Sequence, residues 1–193
     1  MKKFIALIGF VAIFSACNVA QQLAGAYSMT QCKFDFHSIS GLTVDGMNLS
    51  NGNLLNNALA LTKLATAFSS PSGTLPVNFT LNLDVKNPNM QTALLNGLSY
   101  ILEIDGTQMT TGSMDKQIQV DGNGQTVLPL ALGFDVKKLA SGQSMESLKN
   151  LIFNFAGIGG SSSNVTFRIR PNFMIGGTSI PAPAYIPVSF TLH

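Results

Sequence analysis

Val77, Phe79, Leu81, Leu83 and Val85 alternate without a break against Asn78, Thr80, Asn82, Asp84 and Lys86. A period of two puts each set on its own face, so this segment predicts a strand with one face in a core and one in water. At ~3.3 Å per residue it runs roughly 33 Å. Asn87-Pro88-Asn89 ends it. Pro88 biases Asn87 toward extended backbone and donates no hydrogen bond, while Asn89 tolerates a left-handed conformation and can bond its own backbone. The tripeptide reads as a strand-to-turn device.

The same period recurs along the chain. Phe34, Phe36, Ile39, Leu42, Val44 and Met47 alternate imperfectly, predicting one or two strands interrupted near Gly41 and Asp45-Gly46. Leu98, Tyr100, Leu102 and Ile104 form another strand, and Asp105-Gly106 is a strong hairpin turn. Met109, Ile118 and Val120 mark the return, with Gly112 as a bulge or bend. After the turn Asp121-Gly122-Asn123-Gly124, the run Leu128, Leu130, Leu132 and Phe134 forms a strand that Pro129 places at an edge or bulge. Val165, Phe167 and Ile169 form a strand that Pro171 is expected to stop, and Ile186, Val188, Phe190 and Leu192 form the last.

Two segments change period. Leu54, Ala58, Leu61, Ala65 and Phe68 recur at steps of three and four, predicting a helix over 54–68, capped by Asn53 and stopped by Ser69-Ser70-Pro71. Leu148, Leu151, Ile152 and Phe155 predict a second over 144–156, with Ser144 as its N-cap and Gly157 as its stop. Strands punctuated by turns, mostly with no helix between them, give a mainly β fold. We expect an antiparallel sandwich with two inserted amphipathic helices.

The N-terminus adds a location. Lys2 and Lys3 precede an apolar run, Phe4 to Phe14, followed by Ser15-Ala16-Cys17. This is the layout of a secretory signal peptide, too short to span a bilayer as a stable helix. Phe14-Ser15-Ala16-Cys17 resembles the lipobox of bacterial lipoproteins. That resemblance implies cleavage before Cys17 and acylation of Cys17 as the site of lipid attachment. The chain then divides into a signal peptide at 1–16, a lipidated tether at 17–32 and a single domain at 33–193. Residue 18 is Asn, so the Asp that resembles an inner-membrane retention signal is missing. The segment after Cys17 also lacks the acidic residues that resemble a surface-export signal. The expected location is the bacterial cell envelope, lipid-anchored in the outer membrane and facing the periplasm.

Composition narrows the partners. Residues 17–193 number 193 − 16 = 177, with 11 − 2 = 9 basic residues against 9 acidic ones, so this part carries no net charge. It has no basic field to hold nucleic acid. Charged residues are 10% of the chain, against a usual ~25%, leaving a polar surface of Asn, Gln, Ser and Thr. Such a surface offers few titratable groups for catalysis.

The run Val77–Asp135 resembles the late-embryogenesis-abundant type 2 family, or WHy domain. The residues carrying the resemblance are the alternating strand into Asn87-Pro88-Asn89, then Gly97-Leu98-Ser99-Tyr100, Asp105-Gly106, Gly112, Ile118 and Val120, and the strand ending at Phe134-Asp135. The resemblance implies an immunoglobulin- or fibronectin-III-like β-sandwich and an association with desiccation and stress protection. The segments 54–68 and 144–156 depart from that pattern.

Candidate chemistry is sparse. Cys32 reads as a buried structural thiol, with His37 as its one local base. Neither histidine, His37 or His193, sits in a zinc-binding spacing, and Ser161, Ser162 and Ser163 read as loop. The acids Asp84, Glu103, Asp105, Asp115, Asp121 and Asp135 are scattered. Arg168 and Arg170 share one strand face and could meet an anionic headgroup or a carboxylate, though a plain solvated face is the simpler use. These features predict no enzyme, no cofactor and no metal. With the lipobox they point to a membrane-anchored binding module, for which the late-embryogenesis-abundant type 2 resemblance implies stress protection; the expected partners are the membrane, through acylated Cys17, and an envelope protein or apolar ligand. The second expectation is a carrier of lipid or another apolar ligand held between helix and sheet.

Overall fold

Residues 18–30, expected as part of a tether, form a helix, α1. The structure is a computed structural model that describes residues 18–49, 58–70, 73–139, 142–155, 157 and 161–193. The segment 1–16, Cys17 and the cap residue Asn53 lie outside the described residues. After α1 come β1 (Lys33–Val44), β2 (Met47–Asn48), α2 (Ala58–Ser69), β3 (Pro76–Lys86), β4 (Ala93–Leu95), β5 (Leu98–Ile104), β6 (Thr107–Met114), β7 (Ile118–Val120) and β8 (Gln125–Asp135). A 3-10 turn (Val136–Leu139), α3 (Gly142–Phe155), β9 (Ser163–Ile175), β10 (Thr178–Pro181) and β11 (Ile186–Leu192) complete the chain.

The fold is mainly β and every paired strand is antiparallel. One sheet has the order β2-β1-β3-β8, and a second has β10-β9-β5-β6 with β11 also on β9. β4 and β7 form a separate two-stranded ribbon. The alternation at 77–86 holds throughout β3. Val77, Phe79, Leu81, Leu83 and Val85 are all buried, and the strand is flanked on both edges by β1 and β8. Leu128, Leu130 and Leu132 of β8 and Val165, Phe167 and Ile169 of β9 join them in one hydrophobic cluster. Phe36 of β1 stacks on Phe190 of β11 at 3.8 Å between ring centroids, tying the two sheets together.

The turns follow the sequence closely. Asp45-Gly46 and Asp105-Gly106 join their strands in two-residue loops, all four residues at positive φ. That is the primed-turn geometry that matches strand twist. Pro129 sits on β8, an edge strand of its sheet.

Three local expectations are corrected. Gly112 is not a bulge, since β6 runs through it and the irregularity falls at Leu102/Glu103. Its role is space: a Cβ there would come within 2.5 Å of the Tyr100 ring, which stacks on Phe167. Pro171 does not stop β9. Asn172 exchanges hydrogen bonds with the segment just before β5, through Gly97 O and Asn96 N, so residue 171 faces the opposite edge. There the ladder passes from β11, paired up to Ile169, to β10, paired from Asn172. A missing N–H costs little at that gap, and the Pro171 carbonyl accepts from Ala182 N at 2.7 Å. Ser144 lies inside α3, which begins at Gly142.

Both expected helices exist. In α2, Leu64 takes the buried position and Ala65 is exposed, a shift of one residue around the helix. Phe68 meets Phe153 of α3 edge-on. The Lys137 ammonium caps the α2 C-terminus, donating to the Phe68 and Ser70 carbonyls, where a cation suits the helix dipole. Gly157, at φ +74, donates its N–H to Asn154 O and ends α3. No described helix is long and apolar enough to cross a membrane.

Candidate functional site

The most ordered polar cluster forms around Asn-Pro-Asn. Asn87 ends β3 and is 2% exposed. Its Nδ2 donates to the carbonyls of Gln91 (2.8 Å), Val120 (3.1 Å) and Asp121 (3.1 Å). Its Oδ1 accepts from Asn89 N (3.0 Å) and Asn89 Nδ2 (2.9 Å). Carbonyls at one end and N–H groups at the other fix which way the amide points. Asn87 N donates to Gly124 O, and Asn123 N donates to Asn89 O at 2.7 Å. One side chain thus joins the end of β3, the loop into β4 and the β7–β8 turn.

Asn89 extends the cluster to α1. Its Nδ2 donates to the Ser28 carbonyl at 3.0 Å, which also accepts from Gln31 N and Cys32 Sγ. Side-chain donors of this kind satisfy carbonyls that a helix end leaves open. The left-handed residue here is Asn123, at φ 55, rather than Asn89. Asn-Pro-Asn is therefore a turn, as expected, and also the anchor of a helix the sequence reading left out.

α1 packs through small residues. Gln22 is half-buried, and Gly25, Ala26 and Met29 are buried. A Cβ at Gly25 would lie 2.9 Å from Leu94 Cδ1. Gln22 Oε1 accepts from Gly176 N, tying α1 to the β9–β10 turn. Beside the fully buried Met29, two large apolar residues point outward: Leu23 is 50% exposed and Tyr27 68%.

The candidate reactive residues do not assemble into a centre. Cys32 is buried, and burial pushes its thiol up to about 11, so the nucleophilic thiolate is scarce near neutral pH. His37 turns to Asp84, with Nδ1 3.2 Å from Oδ2. Asp35 stands opposite Asp84 in the β1–β3 register, and Gln125 Nε2 donates to Asp84 Oδ1. This gathering of an imidazole and two carboxylates was not visible in the spacing, because it depends on strand register. It lies on the solvent face of the sheet, where such a pair is worth ~0–1 kcal/mol. Among the described residues, no three of His, Cys, Asp and Glu form a group that could hold a metal ion.

Both arginines have partners. Arg168 Nε lies 2.9 Å from Glu103 Oε1, and Arg170 donates to the Ala182 carbonyl and sits over the Tyr185 ring. That leaves little free charge for an anionic headgroup. Ser163 is buried at the start of β9, with its Oγ 3.0 Å from Asn154 Nδ2. Of the Gly-rich stretch Gly157-Ile158-Gly159-Gly160, Gly157 is among the described residues and 158–160 lie outside them.

Asp135 is the acid most firmly engaged. Its Oδ1 accepts from Leu75 N (2.9 Å) and Lys137 N (3.0 Å). The Leu75 donor first, then the Lys137 donor and the charges of Lys138 and Lys137, hold its carboxyl below the usual carboxylate range against desolvation. A depressed folded pKa adds stability above the unfolded value of about 4, and that stability is lost as pH falls through the lower folded value. Asp135→Asn is expected to melt lower than the parent at neutral pH and to show a flatter Tm profile below about pH 4, read by thermal melts across the acid range. Parallel acid limbs in the two proteins would contradict this.

Between α3 and the β1–β3 face lies an apolar cavity lined by Ile39, Leu42, Val77, Phe79, Leu151 and Phe155 among others. Its volume is about 10 Å³. Ligand pockets run to ~300–1,000 Å³, so this space does not admit an acyl chain. Beside α2 lies a larger hollow of about 450 Å³, open to solvent and bordered by Asp45, Met47, Thr62, Lys63, Thr66 and Ala67 among others.

The family model for late embryogenesis abundant protein, LEA_2, matches residues 82–183, more than half of the chain. The chain belongs to the LEA_2 family. The match begins within β3, takes in the Asn87–Asn89 cluster and ends just past β10. It therefore extends well beyond the stretch that carries the resemblance in the sequence. Among solved structures, the chain is similar to a LEA protein, At2g46140.1, at 14% identity. That overlay covers 98% of this chain and 86% of that one, with a TM-score of 0.40. It is similar to AT1g01470 from Arabidopsis thaliana at 13% identity, covering 60% and 69%, with a TM-score of 0.40. A protein from Archaeoglobus fulgidus is 16% identical, covering 61% and 86%, with a TM-score of 0.35. No curated protein matches the chain. Membership of LEA_2 rests on the sequence match, not on these overlays.

Proposed function

We propose that this LEA_2 protein is a non-enzymatic envelope module, held by lipid on Cys17 at the periplasmic face of the outer membrane and serving in binding or stress protection. The observation that carries the reading is Phe14-Ser15-Ala16-Cys17 behind an apolar run, one residue before a helix that packs on the domain. Two or three acyl chains anchor firmly, since each buried methylene contributes ~0.8 kcal/mol. The weakly charged surface, the raised Cys32 thiol and the solvent-facing His37–Asp84 pair all favour a role without turnover.

We read the two sheets as a fibronectin-III-like sandwich. The strand orders β1-β3-β8 and β6-β5-β9-β11 support this, as does the Phe36–Phe190 contact between sheets. The carrier reading is weaker: the apolar cavity between α3 and the sheet is about 10 Å³, and the hollow of about 450 Å³ beside α2 is open and lined by Asp45, Thr62, Lys63 and Thr66 as well as Met47 and Ala67.

Cys17→Ala tests the anchor. The parent protein is expected in the membrane fraction, with acyl chains on Cys17 by mass spectrometry, and the variant in the soluble fraction. A variant that stays with the membranes refutes the anchor. Turnover of an envelope substrate, abolished by one point substitution, refutes the non-enzymatic role.

A further inference from the structure

Opposite its packed side, α1 carries a second apolar face. Ala20, Leu23, Ala24 and Tyr27 recur at steps of three and four, so they form one stripe along the helix. Met90, 89% exposed, borders the same side, in an open groove shared with Ala20, Ala24 and Leu94. The Asn89–Ser28 hydrogen bond holds the Met90 loop against the helix. No residue from 18 to 31 is charged.

We propose that this face lies on the lipid bilayer, with Leu23, Tyr27 and Met90 at the boundary between headgroups and acyl chains. The inference rests on the reading of Cys17 given above and adds a second contact to it. The chain before α1 supplies the argument for lipid. Acyl chains on Cys17 or a retained Phe4–Phe14 run would each place a membrane-seeking element directly before α1. Leu23 is six residues beyond Cys17, about 9 Å along a helix. A Tyr there places an apolar ring in the boundary and its hydroxyl in water. An uncharged helix face also enters the boundary without desolvating an ion. A second copy of the chain fits less well: three exposed side chains and two alanines fall short of the ~800 Å² per partner of a stable protein interface. Such a small contact orients the protein rather than anchoring it, given that even one acyl chain binds marginally.

The chain contains no tryptophan, so one substitution makes a clean reporter. Tyr27→Trp is placed in the full chain, and the protein isolated from membranes is reconstituted in phosphatidylethanolamine–phosphatidylglycerol vesicles with brominated acyl chains. Gln108→Trp is the control. Gln108 is exposed near the far end of the β5–β6 hairpin, about 17 Å along the strands from Leu98. The Tyr27→Trp emission is expected to shift blue and to lose most of its intensity to bromine, while the control keeps its own. Equal, unquenched emission from both in vesicle-bound protein overturns the lipid contact and leaves the anchor standing. A blue shift in detergent-free buffer without vesicles assigns the face to a second copy and also overturns it. Mass spectrometry of the same sample reads Cys17 separately. Quenching without acyl chains keeps the lipid contact and overturns the anchor, and absence of both overturns both.

Discussion

Asn87→Ala is expected to lower stability by about 3 kcal/mol, and Asn87→Asp by more at pH 7. Alanine removes the donors that serve the Gln91, Val120 and Asp121 carbonyls and the acceptor for Asn89 N. Buried groups left unpaired cost ~1–3 kcal/mol each, and water reaches this position poorly because Asn87 is buried. Aspartate has the shape of asparagine but only accepts, so its charge would face carbonyl oxygens. Its deficit should shrink on acidification, as protonation restores one donor. Urea unfolding of both variants at neutral and mildly acidic pH measures this. An aspartate variant as stable as the parent at pH 7 would show that the amide does not hold the cluster together.

Gly122→Ala should cost a comparable ~3 kcal/mol, for a different reason. A Cβ at Gly122 would sit 2.0 Å from Met90 O and 2.5 Å from Met90 C. The obstacle is backbone, with no flexible side chain to swing aside, so the 89–90 segment must move away from the 121–124 turn. That movement strains the Asn123 N to Asn89 O bond and the contact of Asn89 with α1. Gly122→Ala and Asn87→Ala break the same junction, so the double variant should lose clearly less than the sum of the two. Additive losses in urea unfolding would mean that the turn and the amide act independently.

The residues that made the fold legible are those with large side chains in strict alternation. In β3, β5, β8 and β11 the alternating large side chains report the core face, with Ile101 and Val127 as apolar exceptions on the outer face, and Asp45-Gly46 and Asp105-Gly106 supply the turns by backbone preference alone. α1 escaped for the same physical reason. Apart from Met29 its packed positions are Gln22, Gly25 and Ala26, while Leu23 and Tyr27 stand in the open. A helix that packs by close backbone approach leaves almost no hydrophobic period on its packed side, and the period that α1 does carry, Ala20, Leu23, Ala24 and Tyr27, lies on its outward side. Pro171 misled because its effect depends on which edge of β9 its nitrogen faces, and that follows from pairing with β10 and β11. The Asn87 cluster was half legible. Asn-Pro-Asn announced a turn, but its carbonyl partners at Val120 and Asp121 come from a distant part of the chain. Asp35, His37 and Asp84 meet only through register.

Replacing a tether by α1 changes what the domain can reach. A flexible linker of about fifteen residues would let it roam ~22 Å from its attachment point. α1 instead folds back on the domain at Gly25 and Met29 and is clasped by Asn89 at its far end. With Cys17 as the attachment point, the domain has almost no leash. It would work on what arrives at the bilayer surface and could not patrol the space beyond it.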